Sequence, residues 1–549
     1  MNTNNVLDII ISKKTLLIII TSILLLGAGL RFCGITERGF WQWDEAYYSN
    51  IAKAPYYLTQ RWLNNPNSES VREYILNRGV SGIPFIKPGH VVLMAISFFI
   101  FGVKDFAPFI MMGLFGTFLI FLIYRLGKNH FSIHIGLASA LIAAVSGHLI
   151  FYSRSAYPQM DTAVFSLLSL LSFFKALDDP DTKKKYLWLS GGFFSVGVLM
   201  HQSLALPMLL LIFYYTWITW NERKNLRYVF SSTLPLWGLP IFVYSIVMAL
   251  SKLFVNLFPQ LLPRTTSDVT LGDRTQQRLT TVFESYSFDT TEILTVLKII
   301  FSFEGILIFI LLFFGSYVMI KNRREFEQRK LMLIFVQFWF VILYWSFFSG
   351  GHPTGKAFMT VMPQMALIAG VGAVQLIKRI PNIIGSAALA LLLALLIISS
   401  SIYNSYPVIT SKSGYKEATE RAVDYAIKND LIVMRDQSGL TPLLSFYFGA
   451  LYDEGDSLIK SHIDAAAKDM GDIIILDYRR YDKPEKNAEL INLVKGLNPL
   501  FSIDNDWVSL KPKFNTHYGE IFRVRNKRIL SYEDGTKVLA FHLNKSSDN

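Results

Sequence analysis

Cysteine is nearly absent from this 549-residue chain, with Cys33 as its single example. That excludes an intramolecular disulfide framework and a cysteine-built metal site. Leu30, Arg31 and Phe32 precede Cys33. Lipoprotein processing wants small residues where Arg31 and Phe32 stand, so the apolar run before the cysteine reads as a retained anchor. The chain also lacks a convincing internal repeat and the paired Gly/Pro-broken spans common in transporters. Basic residues are plentiful, with a net charge of +12 and a pI near 9.4, but they fall in short loops between apolar runs. No basic face for nucleic acid results, and the positive-inside rule accounts for the excess.

What the chain does have is apolar length. Hydrophobic residues make up 52% of it and the mean hydropathy is +0.35, values that exclude a soluble protein. Runs of spanning length lie near 15–33, 106–125, 132–152, 158–177, 186–200, 203–220, 227–250, 295–320, 331–348, 357–377 and 383–403. They predict about eleven transmembrane helices. Lys128, Lys183, Lys184, Lys185, Lys224, Lys321, Lys330 and Lys378 mark the loops expected in the cytoplasm. The apolar stretch 90–102 is short for a span and is read as a juxtamembrane helix on the outer face.

This arrangement leaves a large external first loop at 34–105, an external turn around 152–161 and a third external loop at about 251–291. The N-terminus is then cytoplasmic and the tail extracytoplasmic, in a plasma (inner) membrane. After residue 404 the composition turns charge-rich. Apolar strand-like runs at 430–434 and 472–476, helix-like segments between them and a hairpin signal at Glu533-Asp534-Gly535-Thr536 predict a soluble α/β domain at 405–549. The fold expected is thus a polytopic α-helical membrane module, 1–404, followed by that domain.

The densest chemical signal is Trp41-Gln42-Trp43-Asp44-Glu45-Ala46-Tyr47-Tyr48, an acidic pair among aromatics just past the first span. Aromatic rings favour the headgroup zone and carboxylates do not, so two carboxylates at that depth need a reason. Most other unusual polar groups fall on the same side: Lys87, Arg154, Asp161, His201, Arg264, Arg274, Arg278, Glu304, His352 and Lys356. An outward-facing cavity is the natural inference. Arg264, Arg274 and Arg278 run against the topology bias and suit bidentate phosphate recognition. Lys356 and His352 precede a span and can approach the same cavity. Glu304 lies inside a span, where an ionisable group is a functional candidate by default. Plainer roles exist for two of these: Lys87 as a snorkelling headgroup contact and Asp161 as a helix cap after Pro158.

Asp44-Glu45, then Lys87-Pro88 in the same loop behind Phe85-Ile86, then Ser153-Arg154 followed by Asp161, and finally a soluble external tail make the chain resemble the GT-C polytopic glycosyltransferases. The branch it resembles holds the dolichyl-phosphate-mannose protein mannosyltransferases and the lipid A aminoarabinose transferases. The resemblance covers roughly 16–403 and, more loosely, the tail.

It implies transfer of a sugar from a polyprenyl-phosphate donor to a lipid, polysaccharide or protein acceptor at the cell envelope, with inversion. Asp44 matches the catalytic carboxylate, a general base. Glu45 completes the motif, Asp161 matches a second acidic position, and Lys87 matches the residue that meets the carrier phosphate. Arg264, Arg274, Arg278 and Lys356 are further candidates for that phosphate, with His352, Glu304 and Tyr47 as cavity residues.

The chain departs from the pattern where Ile86 replaces an acidic residue that helps hold a metal in aminoarabinose transferases. Gln42 and Trp43 likewise replace an aspartate-x-aspartate site. A metal-independent enzyme is expected, with a divalent ion the one cofactor left open. The alternative from another class is a transporter or flippase for a lipid-linked or small anionic substrate.

Overall fold

A computed structural model describes residues 12–41, 43–64, 87–257, 291–322, 326–348, 355–380 and 383–413, with shorter pieces within 71–80 and 416–447 and strands beyond them. The helices, in order, are α1 (Lys13–Phe32), α2 (Trp43–Asn64), α3 (Pro88–Phe101), α4 (Phe106–His130), α5 (Ile133–Val145), α6 (Gly147–Ser153) and α7 (Gln159–Asp178). They continue with α8 (Lys183–Met200), α9 (Ala205–Arg223), α10 (Leu226–Leu257), α11 (Thr291–Lys321), α12 (Phe326–Phe348), α13 (Met362–Lys378) and α14 (Ile383–Thr410). Short 3₁₀ helices at Gln202–Leu204 and Gly355–Val361 lead into α9 and α13.

Every apolar run expected to span is helical among the described residues. Among the described residues nine helices are long and apolar enough to cross a bilayer, and ten if the bent pair α5 and α6 counts as one span. The run at 132–152 breaks at Ser146 with a bend of 58°. The run at 186–200 belongs to α8, whose first turn is Lys183-Lys184-Lys185 and which is not among the nine. The structure therefore shows a multi-pass membrane protein. The stretch 90–102 is indeed the short apolar helix α3.

Helices α4, α5, α7, α11 and α13 form the centre, with α8 packed on α7 and α10. Without a hydrophobic driving force between helices in lipid, close contact rests on small residues. At the crossing of α11 and α13, a Cβ on Gly315 would stand 2.0 Å from the Ile368 carbonyl oxygen, and one on Gly372 would stand 2.3 Å from that of Leu311.

The break at Ser146 leaves carbonyls at the end of α5 and amides at the start of α6 without helical partners, in a region with no water to receive them. Arg31, wholly buried, donates to the carbonyls of Ala144 (2.9 Å) and Ala143 (3.1 Å), to Gly27 in its own helix (2.9 Å) and to Ser153 Oγ (3.0 Å). Glu304, also wholly buried, accepts from Ser146 Oγ (2.8 Å) and from the His148 amide (3.2 Å). A cation thus closes the C-terminal end of α5 and an anion the N-terminal end of α6, the signs that the helix dipoles favour.

Helix α11 is itself broken beside Glu304, at Gly305 with φ 75° and ψ 170°, a conformation that glycine adopts without a Cβ penalty. Glu304 Oε1 thus caps a helix inside the protein, while Oε2 is buried without a hydrogen-bond partner.

Past α6, Arg154 donates to the carbonyls of Arg31 (3.0 Å) and Cys33 (2.6 Å) at the end of α1, and to Ile409 (2.9 Å) at the end of α14. Burial lowers its pKa to about 10, so it stays a cation at neutral pH.

In the tail, β1 (Ile432–Met434) and β2 (Ile473–Asp477) lie where the strand-like runs were read. They pair in parallel, β4 (Lys537–Leu543) pairs antiparallel with β2, and β3 (Phe501–Asp504) with β4, giving the order β1-β2-β4-β3. The hairpin signal at 533–536 lies outside the described residues.

Replacing Arg31 with Met strands the Ala143 and Ala144 carbonyls in an apolar interior. The expected loss is on the order of 3 kcal/mol, read as a lower denaturation midpoint in detergent. Arg31→Lys recovers only part of it, because an ammonium cannot span four acceptors. An unchanged midpoint for Arg31→Met would remove this role.

Candidate active site

Asp44 and Glu45 open α2, and because consecutive helical residues point about 100° apart, the two carboxylates separate. Glu45 turns inward and is fully buried, whereas Asp44 keeps 28% of its side chain exposed. Glu45 Oε1 accepts from Arg38 Nη2 (2.8 Å) and from the Ala156 amide (3.2 Å), and Oε2 accepts from the Trp41 amide (2.8 Å). The Arg38 guanidinium lies 3.8 Å from the Trp41 ring centroid and 4.4 Å from that of Phe109. Burial lowers the Arg38 pKa and the Glu45 charge opposes that shift. The pair is a dry ion pair: Arg38 Nη1 donates to the Gly39 carbonyl (3.1 Å) and Glu45 takes two backbone amides, while Arg38 Nε is left without an acceptor.

Asp44 Oδ2 accepts from Lys356 Nζ at 2.9 Å, and Lys356 is itself 42% exposed. Tyr48, one turn along the same face of α2, accepts from Lys87 Nζ through its hydroxyl, and that ammonium sits 4.5 Å from the Tyr48 ring centroid. Tyr157 completes this side, with Lys356 Nζ 5.8 Å from its ring centroid. Burial, then the charges of Asp44 and Glu45, raise the Tyr157 phenol well above its ordinary pKa, so it stays protonated as a donor. Two lysines from separate segments therefore reach the face of α2 that carries Asp44.

Lys87 is the residue before α3 and holds a left-handed backbone, φ 49° and ψ 57°, directly ahead of Pro88. A side-chain-bearing residue in that region costs about 1–2 kcal/mol, and such outliers concentrate at functional sites. Three residues on, His90 is buried, with Nδ1 2.7 Å from Asp161 Oδ2 and Nε2 donating to the Ala156 carbonyl (3.2 Å). Both ring nitrogens face oxygen atoms. Asp161 Oδ1 accepts from the Thr162 amide at 2.7 Å. The N-cap position of α7 belongs to Pro158, without a side-chain bond, so Asp161 is a buried partner of His90 rather than the cap of its helix.

The back of the acidic motif is closed by the tail. The Phe40 amide donates to Tyr447 Oη (3.0 Å), the Ser413 amide donates to the Arg38 carbonyl (2.9 Å), and the rings of Phe40 and Phe446 meet edge to face at 4.7 Å. Lys53, buried in α2, donates to the Phe446 carbonyl at 3.1 Å.

A family model described as dolichyl-phosphate-mannose-protein mannosyltransferase matches residues 86–247, the stretch from Lys87 through Asp161 to α10. No curated protein matches the chain in sequence. In structure the chain is similar to ArnT from Cupriavidus metallidurans in the apo state, over 96% of this chain and 97% of that one, with TM-score 0.54 and 10% identity. It is also similar to the Archaeoglobus fulgidus oligosaccharyltransferase tethered with an acceptor peptide, over 84% of this chain and 69% of that one, with TM-score 0.50 and 12% identity. The chain therefore shares the fold of these two structures. At these identities the structural likeness is one of fold, so the roles of residues rest on the geometry of this chain.

Within that fold the structure brings together Asp44, Lys356, Lys87 and, behind them, Glu45 and Asp161. Tyr47 is buried against Tyr48 and Ile51. His201 caps the 3₁₀ turn at Gln202–Leu204, accepting from the Ser203 amide. Arg264, Arg274, Arg278 and His352 lie outside the described residues. Reading the sequence missed Arg38, Tyr48, His90 and Tyr157. Arg38 had a signal, since a cation on the side opposite the basic loops departs from the topology bias.

Glu45→Ala leaves Arg38 buried and uncompensated, and a loss of about 3–5 kcal/mol is expected. The double substitution with Arg38→Met is expected to recover much of it. Unfolding midpoints of the three variants in detergent check the coupling, and strictly additive losses would refute the pair.

Proposed function

We propose that this chain is a GT-C glycosyltransferase that transfers a sugar from a polyprenyl-phosphate donor to an acceptor, inverting the anomeric carbon, on the membrane face that carries Asp44. The observation that supports this best is the half-exposed Asp44 carboxylate, 2.9 Å from Lys356 Nζ, with Lys87 held at Tyr48 one turn along the same helix face. A base beside two cations suits a reaction in which an acceptor loses a proton while a phosphate leaves. The printed name of the matching family model, dolichyl-phosphate-mannose-protein mannosyltransferase, supports a lipid-phosphate donor.

In the reaction, the acceptor oxygen or nitrogen bonds to the anomeric carbon as the carbon–oxygen bond to phosphate breaks. The acceptor proton passes to Asp44, and the electron pair leaves with the polyprenyl phosphate. Lys87 and Lys356 neutralise the charge that grows on the leaving phosphate, the type of stabilisation that acts most strongly away from bulk water. Arg264, Arg274, Arg278 and His352 remain candidates for the same phosphate or the acceptor.

Glu45 and Asp161 position the site rather than react, since each is buried and paired, with Arg38 and His90 respectively. With Asp44 and Glu45 engaged by Lys356 and Arg38, and Asp161 by His90, the reaction is read as metal-independent. The basic loops after α4, α7, α9 and α13 support an orientation with Asp44 and the tail on the outer face.

Asp44→Asn is expected to lower transfer about 10²- to 10⁴-fold while leaving donor binding intact. The readout is release of free polyprenyl phosphate from labelled polyprenyl-phosphate sugars incubated with membrane extract. Undiminished release by the folded variant would end the assignment of Asp44, and no release from any donor by the wild type would favour transport.

Lys87→Ala and Lys356→Met are each expected to weaken donor binding on the order of tenfold or more, the scale of a charged hydrogen bond, with acceptor affinity unchanged. Unaltered donor affinity for Lys87→Ala would leave it a headgroup contact. Chelator treatment is expected to leave the release rate unaltered, and loss of activity restored by a divalent ion would reverse the metal-independent reading.

A further inference from the structure

A cavity of about 540 Å³ opens between α1, α5, α13 and α14, at the end of the bundle remote from Asp44. Its lining runs from Ser386 to Ile397 on α14 and from His134 to Ile142 on α5, which at 1.5 Å per residue is about 12–16 Å. That is one half of a hydrocarbon core of about 30 Å, so the cavity has the depth of a single leaflet. The leaflet is identified by α1: its lining residues Ile19 and Ile23 lie in the N-terminal half, whereas the C-terminal end meets Arg154 and leads to Asp44.

The lining is apolar except for His134 and Ser386, and both stand at the mouth, near the starts of α5 and α14. Among the described residues, the ends of α1 and α13 next to the lining carry basic side chains. Lys13 and Lys14 begin α1, Lys378 ends α13, Arg379 follows it, and all four are exposed. The four lining helices contain no aspartate or glutamate anywhere along their length. An apolar slot one leaflet deep, with polar lining groups only near the helix starts and exposed basic residues at the ends of α1 and α13, matches an amphiphile with an anionic head. Basic pockets between transmembrane helices bind such heads.

We propose that this cavity is a binding site for an anionic phospholipid, which inserts one acyl chain between α1, α5, α13 and α14 and places its phosphate at Lys13, Lys14 and Arg379. The site is separate from sugar transfer, and only the exclusion of the donor's tail rests on that reading. The polyprenyl tail of a donor is the poorer occupant. Its phosphate belongs at Lys87 in the opposite leaflet, and a hydrocarbon tail has no use for exposed basic residues.

The test uses the full-length chain in nanodiscs, with phosphatidylglycerol or phosphatidylcholine carrying a photoreactive group on one acyl chain, and maps labelled peptides by mass spectrometry. Phosphatidylglycerol is expected to label the lining segments of α5 and α14, with phosphatidylcholine on the order of tenfold weaker. Ala390→Phe, which fills the slot, is expected to abolish that labelling while labelling of other outer surfaces persists. Ala387→Leu serves if the first variant fails to fold. Lys13→Gln combined with Lys14→Gln and Arg379→Gln is expected to erase the preference for phosphatidylglycerol. Equal labelling by both lipids, labelling unchanged in a folded filled variant, or competition by undecaprenyl phosphate but not by unlabelled phosphatidylglycerol would each overturn the proposal.

Discussion

The ends of α5 and α6 at Ser146 present carbonyls and amides at a depth where water cannot serve them, and Arg31 and Glu304 meet that need from opposite sides. The constraint spreads outward. Because the break is held, α6 can carry Phe151 to stack on Trp41 at 5.6 Å and deliver Arg154 to the ends of α1 and α14. The loop that follows then arrives where Glu45 and His90 can bind it. A continuous helix from Ile133 onward would have no free amides for Glu304 and no free carbonyls for Arg31, and would carry residues 154–158 elsewhere.

Adjacent carboxylates in α2 have opposite fates, and helical geometry is the reason. One is folded into a dry ion pair that fixes the start of the helix, and the other is left half exposed beside a lysine. The fixed member determines where the exposed member stands, since neither can rotate about the helix axis without the other. The tail contributes to the same end through Tyr447 and Ser413, whose bonds to Phe40 and Arg38 hold the short segment ahead of α2.

The spans were legible because hydrocarbon demands long apolar runs, and β1 and β2 because short β-branched runs stand out in a charged tail. Asp44 was legible as part of an acidic pair that aromatic neighbours could not explain. The helix α2 was not, since Asn50, Lys53 and Pro55 interrupt any apolar period and its stability comes from buried contacts such as Lys53 with Phe446. Glu304 stood out as unusual, and one of its oxygens meets a broken helix. An ionisable residue inside a span signals unmet polar need, and sequence does not say whether that need belongs to a ligand or to a broken helix. His90 gave no pattern of its own, because its partner is 71 residues away.

The peptide unit at Ala156 donates its amide to Glu45 and receives His90 on its carbonyl. One backbone link thereby joins the acidic motif, the helix that follows Lys87 and, through His90, Asp161. Since the bonds involve only main-chain atoms, any small side chain can stand at position 156 without disturbing them. Relatives can therefore preserve the junction while varying the residue, and a comparison of their sequences would display three separate motifs with nothing to reveal the strap between them.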